Sequence, residues 1–262
     1  MLLAVDIGNT NTVLGLYQAS DQRERASEKW RATWRLTTNR AQTADEFQFL
    51  LTGLLQARGL QAAAVSAIIV ASVVPTLDGM VREALRRQFG CEPLFVGPGL
   101  KTGMPIHYEP PADVGADRIV NAVAGYAAHG GPLIIVDFGT ATTFDVVSPA
   151  GEYQGGIICP GLAISAEALF ARTSRLQRVE IRPPARLVGN TTVGSIQSGL
   201  FYGYLSLVDG LIERLRGELG TDTKVIATGG LAALIAGQSR YITLVDERLT
   251  LNGLRLLWER NR

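Results

Sequence analysis

An apolar run that meets a carboxylate and then breaks into a glycine turn occurs twice in this chain. No other feature constrains the fold as strongly. The first copy is Met1-Leu2-Leu3-Ala4-Val5 followed by Asp6-Ile7-Gly8-Asn9-Thr10-Asn11-Thr12-Val13. The second is Leu133-Ile134-Ile135-Val136 followed by Asp137-Phe138-Gly139-Thr140-Ala141-Thr142-Thr143. Asp6 and Asp137, Gly8 and Gly139, and Thr12 and Thr143 are separated by the same interval, half of the 262-residue length. Each copy reads as strand, tight turn, strand. Glycine lets a ligand come close to the backbone, and successive N–H groups in a turn form a concavity that suits an anion such as phosphate. An aspartate at the strand's end is placed to hold a cation or a reacting group. Two related halves, each opening on such a hairpin, would clamp a polyphosphate.

Strands and helices alternate through the rest of the chain, which indicates an α/β fold. The polar stretch Asp21 to Lys29 reads as a loop, and the alternation of Trp30, Ala32, Trp34 and Leu36 with polar residues predicts a half-buried strand. Thr43-Ala44-Asp45-Glu46 is a capping-box pattern opening a helix with Phe47, Leu50, Leu51 and Leu54 on one face. A second helix starts at Pro75 and is capped by Gly90. Gly97 to Gly103 reads as a connector: it lacks the G-x-G-x-x-G spacing, and no G-x-x-x-x-G-K-[ST] occurs. Gly115-Ala116-Asp117-Arg118 opens a helix with Asp117 in the first turn, where the helix dipole favours a carboxylate. Gly155 to Gly161, with three glycines and Pro160, predicts a tight loop, and the five arginines from Arg172 to Arg186 a solvated one. Val193 to Leu215 has the period of a long helix. Val225-Ile226-Ala227 is a strand running into the turn Thr228-Gly229-Gly230.

Several function classes are disfavoured. A formal net charge of +1 argues against a nucleic-acid surface. The longest apolar stretch, Ala62 to Val74, is interrupted by Ser66 and Ser72 and falls short of the about 20 residues that span a bilayer. Asp6 breaks the N-terminal apolar run and no basic leader precedes it, unlike a signal peptide. Cys91 and Cys159 form neither a metal-type cluster nor a disulfide framework. A cytoplasmic protein without membrane or nucleic-acid partners is expected. His107 and His129 lack partners for nucleophilic catalysis, and Asp137-Phe138-Gly139 is unaccompanied by the other protein-kinase motifs. The missing dinucleotide fingerprint counts against a nicotinamide-dependent oxidoreductase.

Six motifs in unbroken order carry a closer resemblance. They are Asp6 to Thr10, Gly115 to Arg118, Asp137 to Thr143, Gly155 to Gly161, Thr192 to Gly199, and Thr228 to Gly230. Together they closely resemble type III pantothenate kinase, over residues 1 to about 258. The resemblance implies the actin/Hsp70/sugar-kinase fold, two ribonuclease-H-like halves around a central nucleotide cleft, here 1–117 and 118–262. It implies phosphorylation of pantothenate by ATP at the first step of coenzyme A biosynthesis. Asp117 matches the catalytic base, with Gly115, Ala116 and Arg118 beside it at the substrate, together with Tyr108 and Thr192. Asp6, Ile7, Gly8, Asn9, Thr10, Asn11, Thr12 and Val13 match the first ATP-binding loop, and Thr140 also meets the nucleotide. Asp137 matches the ligand of a monovalent cation, potassium or ammonium, and magnesium accompanies ATP. Some members carry lysine where this chain has Val13, which leaves phosphate charge mainly to metal ions and backbone dipoles. A homodimer is implied, and Ile157, Ile158, Leu162 and Ile164 suggest a buried surface. The alternative within the fold is a non-biosynthetic actin- or chaperone-like ATPase or regulatory protein.

Overall fold

The computed structural model describes residues 1–18 and 29–262, so the loop expected from Asp21 lies outside the described residues except for Lys29. The chain divides into two compact units. One comprises Met1–Gly103, Glu109–Ala124 and Leu249–Arg262; the other comprises Met104–Tyr108 and Gly125–Arg248. The division expected between residues 117 and 118 falls in the first turn of α3 (Ala116–His129). The closing helix, α7 (Leu249–Arg260), belongs with the first unit because it packs on that unit's sheet. Gly253 of α7 also approaches the Val120 carbonyl of α3 so closely that a side chain would not fit.

In the first unit the sheet order is β3-β2-β1-β4-β5. β1 (Leu2–Ile7), β2 (Asn11–Gln18) and β3 (Lys29–Thr37) are antiparallel neighbours, whereas β4 (Ala67–Ser72) and β5 (Leu94–Phe95) continue the sheet in parallel. Period-2 alternation sends Leu3, Val5, Ile7, Leu14 and Leu16 to one face. There they bury Phe47, Leu51 and Leu55 of α1 (Ala44–Gln56) and Leu77, Val81 and Leu85 of α2 (Pro75–Phe89). The capping box forms as expected: Glu46 N–H donates to Thr43 Oγ1 and Thr43 N–H to Glu46 Oε2. Leu50 is 39% exposed, because the inward stripe steps by four residues from Phe47 to Leu51 to Leu55. Gly90 caps α2 at φ +70°, in the left-handed region that favours glycine.

One irregularity redirects a large side chain. The β2–β3 register slips between Leu16 and Tyr17, pairing Leu16 with Ala32 but Tyr17 with Trp30. Trp30 therefore leaves the face that Trp34 occupies. It covers Gly15, stacks edge-on against Tyr17 and donates from Nε1 to Asn252 of α7 at 3.0 Å.

The second unit repeats this topology. β6 (Leu133–Phe138), β7 (Ala141–Val147) and β8 (Tyr153–Pro160) are antiparallel. β9 (Lys224–Gly229) and, after the short α6 (Ala232–Ala236), β10 (Leu244–Val245) extend the sheet in parallel, in the order β10-β9-β6-β7-β8. Phe201, Tyr204, Val208 and Ile212 of α5 (Thr192–Leu219) bury its Ile134, Val136, Phe138 and Phe144. The two hairpins differ by one residue. Three residues separate β1 from β2 and two separate β6 from β7, so Thr12, opposite Ile7, corresponds to Thr142, opposite Phe138, rather than to Thr143. The segment expected as a tight loop from Gly155 is strand β8. Gln154 is the bulged residue opposite Val146/Val147, and Gly155 next to it takes φ +95° against the ring of Tyr108. α4 (Leu162–Arg172) follows; with only Leu162 and Ala166 buried, it has little apolar stripe to announce it. Among the described residues no helix is long and apolar enough to cross a membrane.

Candidate active site

In the first unit, β1 and β4 end side by side, Ile7 opposite Ser72 in parallel register. Ligands of open α/β sheets bind outside the carboxyl ends of such strands. The β1–β2 turn stands there. Gly8 N–H donates to Asn11 O at 3.0 Å, closing a three-residue turn on which Asn9 and Thr10 are exposed. The chain leaving β3 holds this turn from the side. Thr38 N–H donates to Thr10 O at 2.9 Å, and Thr38 Oγ1 donates to Gly8 O at 2.8 Å. With that proton committed, Thr38 Oγ1 accepts from Thr12 Oγ1 at 2.9 Å. Arg40 Nη2 donates to Asn9 Oδ1 at 2.8 Å.

The start of α3 reaches the same strand ends. Val73 N–H donates to Ile7 O at 3.0 Å, and Gly115 packs against Val73. A side chain on Gly115 would place its Cβ 2.6 Å from Asp117 Oδ1, so glycine is what lets the carboxylate fold back over the helix start. Arg118 N–H donates to Asp117 Oδ1 at 2.8 Å. Asp117 keeps part of its surface open, yet protein atoms crowd its carboxyl group. That burial pushes its pKa above the ordinary carboxylate value, against the opposing pull of the Arg118 N–H and the Arg118 charge. Arg118 is itself buried.

In the second unit, Asp137 occupies on β6 the position that Asp6 has on β1, with Thr143 and Thr228 opposite it on the flanking strands. Gly229 follows Thr228 at φ +93°, and a Cβ there would lie 2.5 Å from Asp137 Oδ1. Bare backbone thus faces this carboxylate, a cradle that a side chain would fill. The β6–β7 turn is Gly139-Thr140, and Thr140 O accepts from Gly161 N–H at 3.1 Å. Tyr108 lies beside Gly155, its ring centroid 6.5 Å from that of Tyr153. Tyr153 is fully buried and donates to the buried Asp145 at 2.8 Å. Thr192 opens α5 after the cap Thr191, whose Oγ1 accepts from Gly194 N–H, and both threonines line a recess of about 710 Å³.

The predicted residues Asp6 to Val13, Gly115, Ala116, Asp117 and Arg118 therefore all belong to the first unit, and the close approaches through Val73 and Gly115 join them. Tyr108, Asp137, Thr140 and Thr192 belong to the second, where Asp137 and Thr140 share one hairpin and the other two stand on separate segments. Thr38 and Arg40 escape a reading of the sequence. Their only signal is the polar run Thr37-Thr38-Asn39-Arg40 after an amphipathic strand. Among the described residues no group of three or more His, Cys, Asp or Glu side chains could hold a metal ion.

A family model of type III pantothenate kinase matches residues 2–214. The chain is 53% identical over 264 residues to a type III pantothenate kinase of Koribacter versatilis, which covers 100% of this chain and 96% of that relative. It is 56% identical over 262 residues to one of an Anaeromyxobacter strain, covering 100% of both. The chain belongs to the type III pantothenate kinase family. Membership makes it an enzyme of the kinase class and disfavours the actin- or chaperone-like alternative. Among solved structures, a Campylobacter jejuni protein described as a Baf family transcriptional activator superposes with a TM-score of 0.59 at 20% identity, over 99% of this chain and 98% of that one. A Sinorhizobium meliloti protein described as a 2-dehydro-3-deoxygalactonokinase gives 0.56 at 15% identity, over 99% and 96%. These two likenesses are of fold alone. The fold is the actin/Hsp70/sugar-kinase one, in which each unit of this type III pantothenate kinase family member supplies one five-stranded mixed sheet.

Proposed function

We propose that the chain transfers the γ-phosphoryl group of ATP to the primary hydroxyl of pantothenate, giving 4′-phosphopantothenate and ADP as the first step towards coenzyme A. The observation that carries this role is Asp117, a carboxylate with raised pKa at a helix start that packs, through Gly115 and Val73, against the end of β1. The hydroxyl oxygen forms a bond to the γ-phosphorus while the bond to the β–γ bridging oxygen breaks. Positioning and charge stabilisation dominate such transfers, and an alcohol needs a base for its proton. Arg118 N–H holds Asp117 Oδ1, so Oδ2 is the atom that receives the proton.

Asp6 to Val13 hold the phosphates through turn N–H groups, and Thr140 meets the nucleotide. Arg118 pairs with the pantothenate carboxylate as a planar fork, with Tyr108, Gly115, Ala116 and Thr192 as further substrate contacts. A divalent ion, magnesium, arrives with ATP and offsets phosphate charge. Asp137 and the bare backbone of Gly229 fit a potassium or ammonium ion, which would supply a further positive charge. Magnesium prefers small octahedral shells with retained water, so a larger ion suits a single carboxylate beside backbone. The working form is a cytoplasmic homodimer. Ile158 and Ile164, 60% and 43% exposed, support an apolar interface on β8 and α4, whereas Leu162 is buried within its own unit.

A coupled ATP-consumption assay with and without pantothenate tests the role. Pantothenate-dependent turnover that rises with potassium at fixed ionic strength is expected. Slow ATP hydrolysis indifferent to pantothenate would reject it in favour of an actin- or chaperone-like ATPase.

A further inference from the structure

The loop Asp6 to Val13 contains no lysine or arginine. An arginine outside it, Arg40, contacts its turn. Arg40 lies at the tip of the turn, donating from Nη2 to Asn9 Oδ1 at 2.8 Å. That is its only side-chain hydrogen bond to the described residues. A guanidinium carries five donors, so most of them face solvent above the turn. The segment bearing Arg40 is fixed at both ends. On one side Thr38 is tied to Thr10 O, Gly8 O and Thr12. On the other, Ala41 N–H donates to Asn39 Oδ1 at 3.0 Å, and Thr43 is locked into the cap of α1. An exposed cation on an anchored backbone keeps its place without a carboxylate to hold it there.

Arg35 is the second cation. Asp6, Val13 and Arg35 stand directly opposite one another across β1, β2 and β3. Residues so paired project from the same face of a sheet. With strands about 4.8 Å apart, the Arg35 backbone lies about 10 Å from that of Asp6. Neither arginine pairs with a carboxylate among the described residues.

We infer that Arg40, assisted at longer range by Arg35, receives the terminal phosphates of ATP at this loop, an inference resting on the phosphoryl-transfer role proposed above. The guanidinium fork matches two phosphate oxygens while one nitrogen keeps the Asn9 contact.

Calorimetric titration of the full chain with Mg-ATP and with adenosine tests this. Arg40→Gln should weaken ATP binding about 10- to 100-fold, the loss of a charge-assisted hydrogen bond, and leave adenosine affinity unchanged. Arg40→Lys, which keeps the charge and loses the fork, should recover part of the affinity. Arg35→Gln should cost only a few-fold and flatten the salt dependence of ATP binding, as expected of a charge acting through solvent. Arg31→Gln, at the bulged position of β3, is the control and should bind ATP like wild type. In turnover the Arg40→Gln defect should raise the KM for ATP by more than it lowers kcat. Wild-type ATP affinity in Arg40→Gln, with pantothenate phosphorylation intact, overturns this inference alone. Equal loss of ATP and adenosine would make Arg40 a structural support of the turn and also overturn it. A wild-type chain that binds no ATP removes the kinase role and this inference together.

Discussion

Alanine at Gly229 separates the cost of an unusual backbone from the cost of filling the space beside Asp137. Gly229 has φ +93°, and its Cβ would lie 2.5 Å from Asp137 Oδ1 and 2.7 Å from the N and C atoms of Phe138. Ordinary contact begins at 3.4 Å, so alanine has to open these approaches by roughly 0.7 to 0.9 Å in a close-packed interior. A positive φ on a residue with a Cβ costs about 1–3 kcal/mol, and forcing extra volume into packed surroundings costs about 1–3 more. Gly220 supplies the comparison within the same unit: it has φ +105° and nothing within 4 Å of its Cβ position. Gly220→Ala should therefore show the first cost only. Gly229→Ala should be less stable by a further about 1–3 kcal/mol. At about 2–4 °C per kcal/mol for a chain of this size, it should melt about 2–12 °C below Gly220→Ala. Thermal melts followed by circular dichroism measure that difference. The same displacement moves Asp137, so potassium for half-maximal activity should rise in Gly229→Ala and stay at the wild-type level in Gly220→Ala. Equal melting temperatures together with equal potassium responses would refute both the steric argument and the assignment of Asp137.

Asp117→Asn should lower kcat by about 10²–10⁴-fold, about 3–5 kcal/mol of barrier, and wild-type kcat/KM should fall on the acid side at a pH above the ordinary carboxylate range. Because the folded pKa is raised, wild-type stability declines as pH rises from the unfolded value through the folded one. Asp117→Asn escapes that decline, so urea unfolding at neutral pH should find it more stable than wild type, with the gap closing as the solution is acidified. Tyr153→Phe removes the 2.8 Å donor to buried Asp145 and should cost about 1.5–3 kcal/mol, read from the urea midpoint. Light scattering should give twice the chain mass of 28.1 kDa, and Ile158→Asp should move the particle towards monomer.

Local chemistry made the two hairpins legible: a strand-type run stopped by Asp-x-Gly leaves the backbone few alternatives. The capping box at Thr43 and the left-handed cap at Gly90 were equally local. The strand at Gly155 was not legible, because a glycine beside a bulge looks the same in sequence as a glycine that serves a loop. Nor does the alternation of Trp30, Ala32, Trp34 and Leu36 reveal that Trp30 faces away from Trp34, since a one-residue slip opposite Tyr17 decides it. The first-turn position of Asp117 was legible from Gly115-Ala116-Asp117-Arg118. The raised pKa of Asp117 comes from burial of its carboxyl group, which only the folded packing produces. Thr38 and Arg40 lie about thirty positions from the turn they hold, so only the pairing of β3 with β2 brings them to it.

The central claim is that Asp117 takes the proton as ATP phosphorylates the primary hydroxyl of pantothenate. Mass spectrometry of a reaction containing the purified chain, ATP, magnesium, potassium and pantothenate tests it most directly, with Asp117→Asn in parallel. One phosphate added to pantothenate per ADP formed, at the 4′ position in fragment ions, is expected for wild type, with a rate at least about 10²-fold lower for the variant. An unmodified pantothenate pool from folded wild-type protein, or equal product from both proteins, would contradict it.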